Sequence, residues 1–253
     1  MPSISVIIPC YNEEANLKRG VLTEVENYLS KQKYQWEVII CNDKSTDNSL
    51  KITKDFIKNN NNFSVLDLSK GGKAGAIWGG IQNAKYDVVL FTDMDQSTPI
   101  TELSKLLPYF EQNYDVVIGS RGRHREGNSI LRRLGSRVFR ELRNILLRTN
   151  IYDTQCGFKA MKTDLAKKIF PKLAVIKNIQ NQTVWRVTAY DVEMLMIAHK
   201  LGKRIKEVKV DWRNEDTSIT KGDPNIRYLN ESKEMVQEVL RIYLNKLKGI
   251  YDQ

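Results

Sequence analysis

The sequence predicts an α/β fold built on a mostly parallel, doubly wound sheet. Three observations carry that prediction. Short apolar runs of strand type alternate with amphipathic helical stretches through the first half of the chain. Four polar or glycine-rich clusters follow four successive strands. The fourth strand ends on two carboxylates one residue apart, Asp93 and Asp95, with Met94 between them.

Taken in order, Ser3–Pro9 (SISVIIP) reads as the first strand and Glu14–Lys31 as helix. Trp36–Asn42 (WEVIICN) is the second strand, followed by a helix over Asp47–Asn59 with Asp47 as its N-cap. Phe63–Leu68 is the third strand. The glycine-rich SKGGKAGA (69–76) then leads into a helix reaching Ala84. Tyr86–Thr92 is the fourth strand, and a helix starts at Thr101 after the DMD loop. Tyr114–Gly119 (YDVVIG) is the fifth strand. After Ser120 the rhythm changes. Residues 121–149 carry Arg121, Arg123, Arg125, Arg132, Arg133, Arg137, Arg140, Arg143 and Arg148, with apolar residues at helical spacing among them, which is a basic amphipathic helix. Ile226–Lys248 is also amphipathic. The expected division is a catalytic domain over residues 1–225 and a C-terminal amphipathic helix over 226–253, packed on or beside it.

The chain has 253 residues, a formal net charge of +10 and three cysteines. The basic balance favours anionic partners: nucleic acid, membrane surface or phosphorylated small molecules. Cys10, Cys41 and Cys156 are odd in number and not motif-spaced, so neither a zinc site nor a disulfide framework is expected. Cys10 and Cys41 read as buried fillers in a reducing cytosol. The N-terminus begins a strand and lacks a signal-peptide pattern. No stretch reaches the roughly 18 apolar residues of a spanning helix. The sequons at Asn62, Asn181 and Asn230 read as chance matches.

The chemistry concentrates at the strand ends, where open α/β sheets bind their ligands. Two carboxylates there are expensive unless a cation neutralises them. Mg²⁺ takes one or two carboxylates together with substrate phosphates. Asp93 and Asp95 therefore read as ligands of a divalent metal that accepts a phosphorylated compound. Gly71, Gly72 and Gly75 allow close backbone approach and Lys73 could meet a phosphate, although the spacing fits neither a Walker A nor a dinucleotide fingerprint.

PCYNE (9–13), the Asp43–Ser45–Asp47 cluster and DMD, in this order and spacing, resemble the nucleotide-sugar-binding half of family 2 glycosyltransferases with a GT-A fold. DTQCGFK (153–159), TAYDVEML (188–195) and VKVDWRNEDTS (208–218) resemble the polyprenyl-phosphate branch, the dolichyl-phosphate glucosyl- and mannosyltransferases. The resemblance runs from about residue 3 to about residue 221, and DTQCGFK points to the glucosyltransferase-like members.

That resemblance implies roles. Pro9, Tyr11, Glu13 and Asp43 would line the base and ribose pocket, Asp43 accepting from a ring N–H. Lys73, Asp93, Met94, Asp95, Gln155 and Trp212 would complete the nucleotide-sugar site, with Mg²⁺ or Mn²⁺ on Asp93 and Asp95. Some mannose synthases carry Gln two places after the second Asp; here that place holds Ser97, with Gln96 one place early. The oxygen completing the metal shell, and a mannosyl donor, stay open. Arg121, with Arg132 and Arg133, would grip the acceptor phosphate, because guanidinium matches phosphate bidentately. Asp153, Asp191 and Arg121 are the catalytic candidates for an inverting displacement. A lipid phosphate, with its second pKa near 6, needs no general base, so the two aspartates could orient rather than abstract. Asp191 could also be a helix N-cap, and Trp212 a core residue.

The implied reaction moves a sugar, glucose from UDP-glucose foremost, to a polyprenyl phosphate. Alternatives are the same fold acting on a soluble or glycan acceptor, and a GDP-mannose-dependent polyprenyl-phosphate mannosyltransferase. A processive synthase is disfavoured, since residues 182–186 read QTVWR rather than QxxRW. A nucleic-acid-binding module would leave the strand-end clusters unexplained, and no specific nucleic-acid partner is expected. The basic amphipathic helix suits an anionic membrane surface. The expected location is cytoplasmic, peripheral on the cytoplasmic membrane face, with docking by the chain itself or through a membrane-anchoring partner protein.

Overall fold

A computed structural model describes residues 1–69, 71–122, 130–147, 149–178, 189–213 and 224–252, with the side chains of 130–138 and 224–232 outside the description. The strands are β1 (Ile4–Cys10), β2 (Trp36–Asn42), β3 (Phe63–Asp67), β4 (Val88–Phe91), β5 (Val116–Ser120), β6 (Lys159–Lys162) and β7 (Ile205–Lys209). The helices are α1 (Glu14–Lys18), α2 (Val21–Leu29), α3 (Ser49–Ile57), α4 (Gly72–Asn83), α5 (Leu103–Leu106), α6 (Pro108–Glu111), α7 (Ile130–Leu147), α8 (Thr163–Ile169), α9 (Ala174–Lys177), α10 (Tyr190–Lys200) and α11 (Pro224–Leu247).

The strands form one sheet in the order β3-β2-β1-β4-β6-β5-β7. All neighbours are parallel except that β6 runs antiparallel to both β4 and β5. The predicted mostly parallel, doubly wound α/β fold is therefore the one observed. Strand β6 was not foreseen, because only its first residue, Lys159, belongs to a motif and the three that follow carry no period of their own. Alternation along β1 sends Ile7 to one core, with α4, α8 and α10, and Val6 and Ile8 to the other, with α2 and α5. Helix α4 packs so closely on the sheet that a Cβ at Gly80 would stand 2.5 Å from Ile7 Cγ2.

Element ends differ from the sequence reading where local chemistry intervenes. The stretch 14–31 breaks into α1 and α2 at Gly20, whose φ is +92°. The helix after β2 starts at Ser49, and Asp47 serves two helices. Its Oδ1 accepts from Ser49 N at 2.9 Å and its Oδ2 from Glu14 N at 3.2 Å. Glu14 reciprocates by accepting from Asn48 N at 3.1 Å.

Register sets the ligand crevice. Phe91 at the end of β4 pairs with Ile7, whereas β1 continues alongside β2 to the pair Cys10 and Asn42. Strand β4 thus stops three positions short of its neighbour. The gap opens where strand order turns from β2-β1 to β1-β4, the switch point at which such sheets take ligands.

Helices α7 and α11 pack together, and Lys246 Nζ donates to Leu147 O at 2.9 Å. In the described part of α7, Arg143 is buried and Arg140 stacks over the Tyr152 ring at 4.1 Å, whereas Leu142 and Ile145 are exposed. On α11, Val239 and Ile242 enter the core, and Val236, Leu240, Leu244 and Leu247 form an outward stripe. The apolar faces of both helices that the sequence marked as amphipathic are thus split between core and surface. Among the described residues, no helix is long and apolar enough to cross a membrane.

Candidate active site

The loops after β1, β2 and β4 and the start of α4 meet around the crevice. Asp43 follows β2 and is buried. Its backbone N donates to Cys10 O at 2.8 Å, and its Oδ1 accepts from Gly71 N at 2.6 Å. Asp43 thereby ties the start of α4 to the end of β2. Pro9 is half-buried and Tyr11 is 45% exposed. Asn12, at φ +56°, accepts from Thr46 N at 2.8 Å through Oδ1, fastening the PCYNE loop to the loop after β2. Glu13 Oε2 accepts from Asn16 Nδ2 at 2.6 Å.

Three cation–carboxylate pairs line the other side. Lys73 Nζ lies 2.5 Å from Asp93 Oδ1. Lys159 Nζ lies 2.6 Å from Asp191 Oδ1 and also donates to Cys156 O. Arg121 grips Asp153 with both arms of its fork, Nε to Oδ2 at 2.7 Å and Nη2 to Oδ1 at 2.8 Å, and adds its backbone N at 3.1 Å. Gln155 N donates to the same carboxylate at 3.2 Å. Asp153 is held in turn by its own N–H, which donates to Glu207 Oε1 at 2.7 Å.

Asp95 is held differently. Among the described residues no basic side chain pairs with it; its Oδ1 accepts from Ser97 N at 2.8 Å, and Arg19 Nη2 reaches its backbone O at 2.6 Å. The electrostatics follow. Burial pushes the Asp93 carboxyl up, but Lys73 outweighs it and holds the group below the usual carboxylate range. Burial would lower Lys73, and Asp93 reverses that, keeping the ammonium charged. Asp95 is raised, by burial and by repulsion from Asp93. One carboxylate of the pair already holds a cation, and the other is short of one. A donor set of two carboxylates with an ammonium standing on one of them fits a divalent cation that shares its shell with phosphate oxygens.

The other sequence candidates fall as follows. Met94 lies in the turn that follows β4, is 1% exposed, and its side chain belongs to the core. Ser97 O accepts from Arg213 N at 2.8 Å, which straps the Trp212–Arg213 segment to the DMD loop. Trp212 is half-exposed rather than core, with the Arg121 guanidinium 5.8 Å from its ring centroid. Asp191 sits inside the first turn of α10 after Ala189, so it is not the N-cap. Gln155 is exposed, its Nε2 3.9 Å from Met235 Sδ on α11. The side chains of Arg132 and Arg133 lie outside the described residues. Lys159 was missed: its motif was noticed, but a lysine in a short apolar strand carries no signal that its ammonium reaches a helix start 32 positions on. Gly157 was missed too: a Cβ there would stand 2.0 Å from Asp93 Oδ2, and a loop glycine gives no sign of which side chain lies against it.

The family model for Glycosyl transferase family 2 matches residues 5–170. The chain belongs to that family. Among its relatives, a dolichyl-phosphate beta-glucosyltransferase of Dictyostelium discoideum is 31% identical over 265 residues, covering 98% of this chain and 76% of the relative. The human enzyme of the same name is 32% identical, covering 83% of this chain and 67% of its own length. The fold of this family 2 glycosyltransferase is also that of solved structures. Mannosyl-3-phosphoglycerate synthase from Rubrobacter xylanophilus superposes with a TM-score of 0.68 at 15% identity, covering 98% of this chain and 75% of the other. Glucosyl-3-phosphoglycerate synthase from Mycobacterium tuberculosis, crystallised with Mn²⁺, UDP-glucose and phosphoglyceric acid, gives 0.63 at 16%, covering 96% and 80%.

Proposed function

We propose that this glycosyltransferase moves glucose from UDP-glucose to a polyprenyl phosphate with inversion at the sugar carbon. The observation that carries the reading is the DMD loop at the switch point, where Asp93 and Asp95 share one crevice with the start of α4 and with the Asp43 loop. The relatives named for dolichyl-phosphate glucosyl transfer supply the sugar and acceptor class. Mn²⁺ and UDP-glucose together in a structure of the same fold support the donor and metal assignment.

The residues divide the work. Pro9, Tyr11, Glu13 and Asp43 bound the end where the base and ribose would lie. Lys73 and the N–H groups of the first turn of α4 face the diphosphate, as helix starts do. Asp93 and Asp95 would hold Mg²⁺ or Mn²⁺, which supplies charge neutralisation to the departing nucleoside diphosphate. Arg121, braced by Asp153, presents a fixed charge for the acceptor phosphate, and Trp212 beside it offers a flat wall to the sugar. A phosphate oxygen of the acceptor forms the new bond to C1 as the bond from C1 to the UDP oxygen breaks on the opposite face. The acceptor phosphate is already ionised near neutral pH. Asp153, its two oxygens occupied by Arg121, therefore acts as an anchor, and Asp191, held by Lys159, as an orienting group.

The acceptor's lipid tail must stay in a bilayer while its phosphate reaches Arg121. The outward apolar stripe of α11 with Leu142 and Ile145 of α7 would rest on an anionic membrane surface, with the exposed Lys248 following the same helix. The test is transfer of labelled glucose from UDP-glucose, with Mn²⁺, to a polyprenyl phosphate in anionic vesicles or to a short water-soluble alkyl phosphate. Label extracted with the vesicle lipid is expected. Label appearing only in a water-soluble product or as free glucose contradicts the assigned acceptor.

A further inference from the structure

The pair Lys73–Asp93 has a consequence beyond charge balance. Asp93 is held on both sides. Its Oδ2 lies so close over Gly157 that a Cβ there would be 2.0 Å away, and its Oδ1 is 2.5 Å from Lys73 Nζ. A cation approaching Oδ1 therefore meets the ammonium and its like charge. Lys73 is itself poorly placed on helical grounds. It occupies the first turn of α4, where the helix end carries partial positive charge and no acidic residue offsets it. Asp93 supplies the missing negative charge. A diphosphate arriving at the same helix start would supply more of it, and Lys73, half-exposed on a flexible stem, can turn from one partner to the other.

We infer that Lys73 is an exchangeable counter-ion: it holds Asp93 until the donor's diphosphate takes the ammonium, which frees the Asp93 oxygen for the divalent metal. The inference rests on the proposed donor site. It makes the metal a poor ligand by itself and a good one once the nucleotide is bound, so metal and donor load together. Asp95, which has no such partner among the described residues, gives the metal its first hold.

The test is Mn²⁺ binding to the full chain without nucleotide, followed by the paramagnetic signal of free Mn²⁺ and by calorimetry. Lys73→Met removes the competing ammonium and its repulsion of the ion. It should tighten Mn²⁺ by about fivefold, the fold-change that corresponds to the upper end of what one half-exposed ion pair is worth, while UDP binding weakens. Lys73→Arg keeps a cation on Asp93 and should leave Mn²⁺ binding weak, which also controls for folding. Unchanged or weaker Mn²⁺ binding in Lys73→Met overturns the exchange and leaves the donor site standing. Absence of Mn²⁺ binding in every form, even with UDP present, overturns the metal assignment and the exchange with it.

Discussion

Gly157 is the floor beneath Asp93: a Cβ at that position would stand 2.0 Å from the Asp93 Oδ2 and 2.7 Å from its Cγ. The clash reaches the Cγ as well as the oxygen, so the whole carboxylate must move, and its contact with Lys73 moves with it. Gly157→Ala should therefore displace Asp93 while leaving the distant core intact. A misplacement near 1 Å at a reacting centre costs about 100-fold in rate. We expect a loss of that order in glucosyl transfer and weakened Mn²⁺ binding in the presence of UDP, with an unfolding midpoint close to that of the unaltered protein. Steady-state kinetics and chemical denaturation on the same preparation check it; full activity in the variant would remove Gly157 and Asp93 from the site.

Lys159, paired with Asp191, is the most deeply covered cation of the three pairs, with side-chain exposure at 3%. Breaking a buried pair leaves an uncompensated charge, at a cost of about 3 kcal/mol. Lys159→Met should lower stability by about that amount. Adding Asp191→Asn should return part of the loss, because the stranded charge goes with it. Urea unfolding of the two single variants and the double variant measures the coupling. Additive losses would show that the two side chains do not share one interaction.

How far the sequence reached is clear from these residues. DMD, Asp43 and the glycine-rich turn were legible because each directly follows an apolar strand, and strand ends are where such folds place ligands. The doubly wound sheet was legible for the same reason. The antiparallel β6 was not, since four residues between a loop and a helix carry no period of their own. The partners of Asp153 and Asp191 were hidden because pairing across 32 positions depends on how β5, β6 and α10 come together. Met94 shows the opposite case: its place in the motif suggested a donor contact, whereas its side chain lies in the core.

The interlock of α1 and α3 makes one pH-dependent contribution. Glu14 is drawn down to about 2 by Lys18, which donates to it, and then by the Asn48 N–H and side-chain amide. Its ordinary value is near 4.5. A carboxyl depressed in the folded state stabilises above its unfolded value and loses that stabilisation as pH falls toward the folded one. The stability difference between the unaltered protein and Glu14→Gln should be constant above about pH 5, shrink between pH 4.5 and 2, and vanish below. Denaturation midpoints across that range check it; a difference independent of pH would mean that Glu14 acts only as a hydrogen-bond acceptor.

The exposed stripe on α11 predicts a surface effect separable from catalysis. Leu244 is 52% exposed, so Leu244→Glu should change stability by no more than about 0.5 kcal/mol. It should weaken cosedimentation with anionic vesicles several-fold, and high salt should release the unaltered protein. UDP binding should be unaffected. Equal vesicle binding by both proteins would place the membrane contact elsewhere.

The donor site is the claim on which the rest depends, and ligand-induced stabilisation tests it most directly. The melting temperature should be followed with Mn²⁺ in the presence of UDP, UDP-glucose, UDP-galactose, UDP-N-acetylglucosamine, GDP or GDP-mannose. A ligand that binds only the folded state raises stability by mass action, about 2.7 kcal/mol at one hundred times its dissociation constant. Metal-dependent stabilisation by UDP and UDP-glucose is expected, lost in Asp95→Ala, with little from the guanosine compounds. No stabilisation by any nucleotide, with the protein folded and Mn²⁺ present, would contradict it.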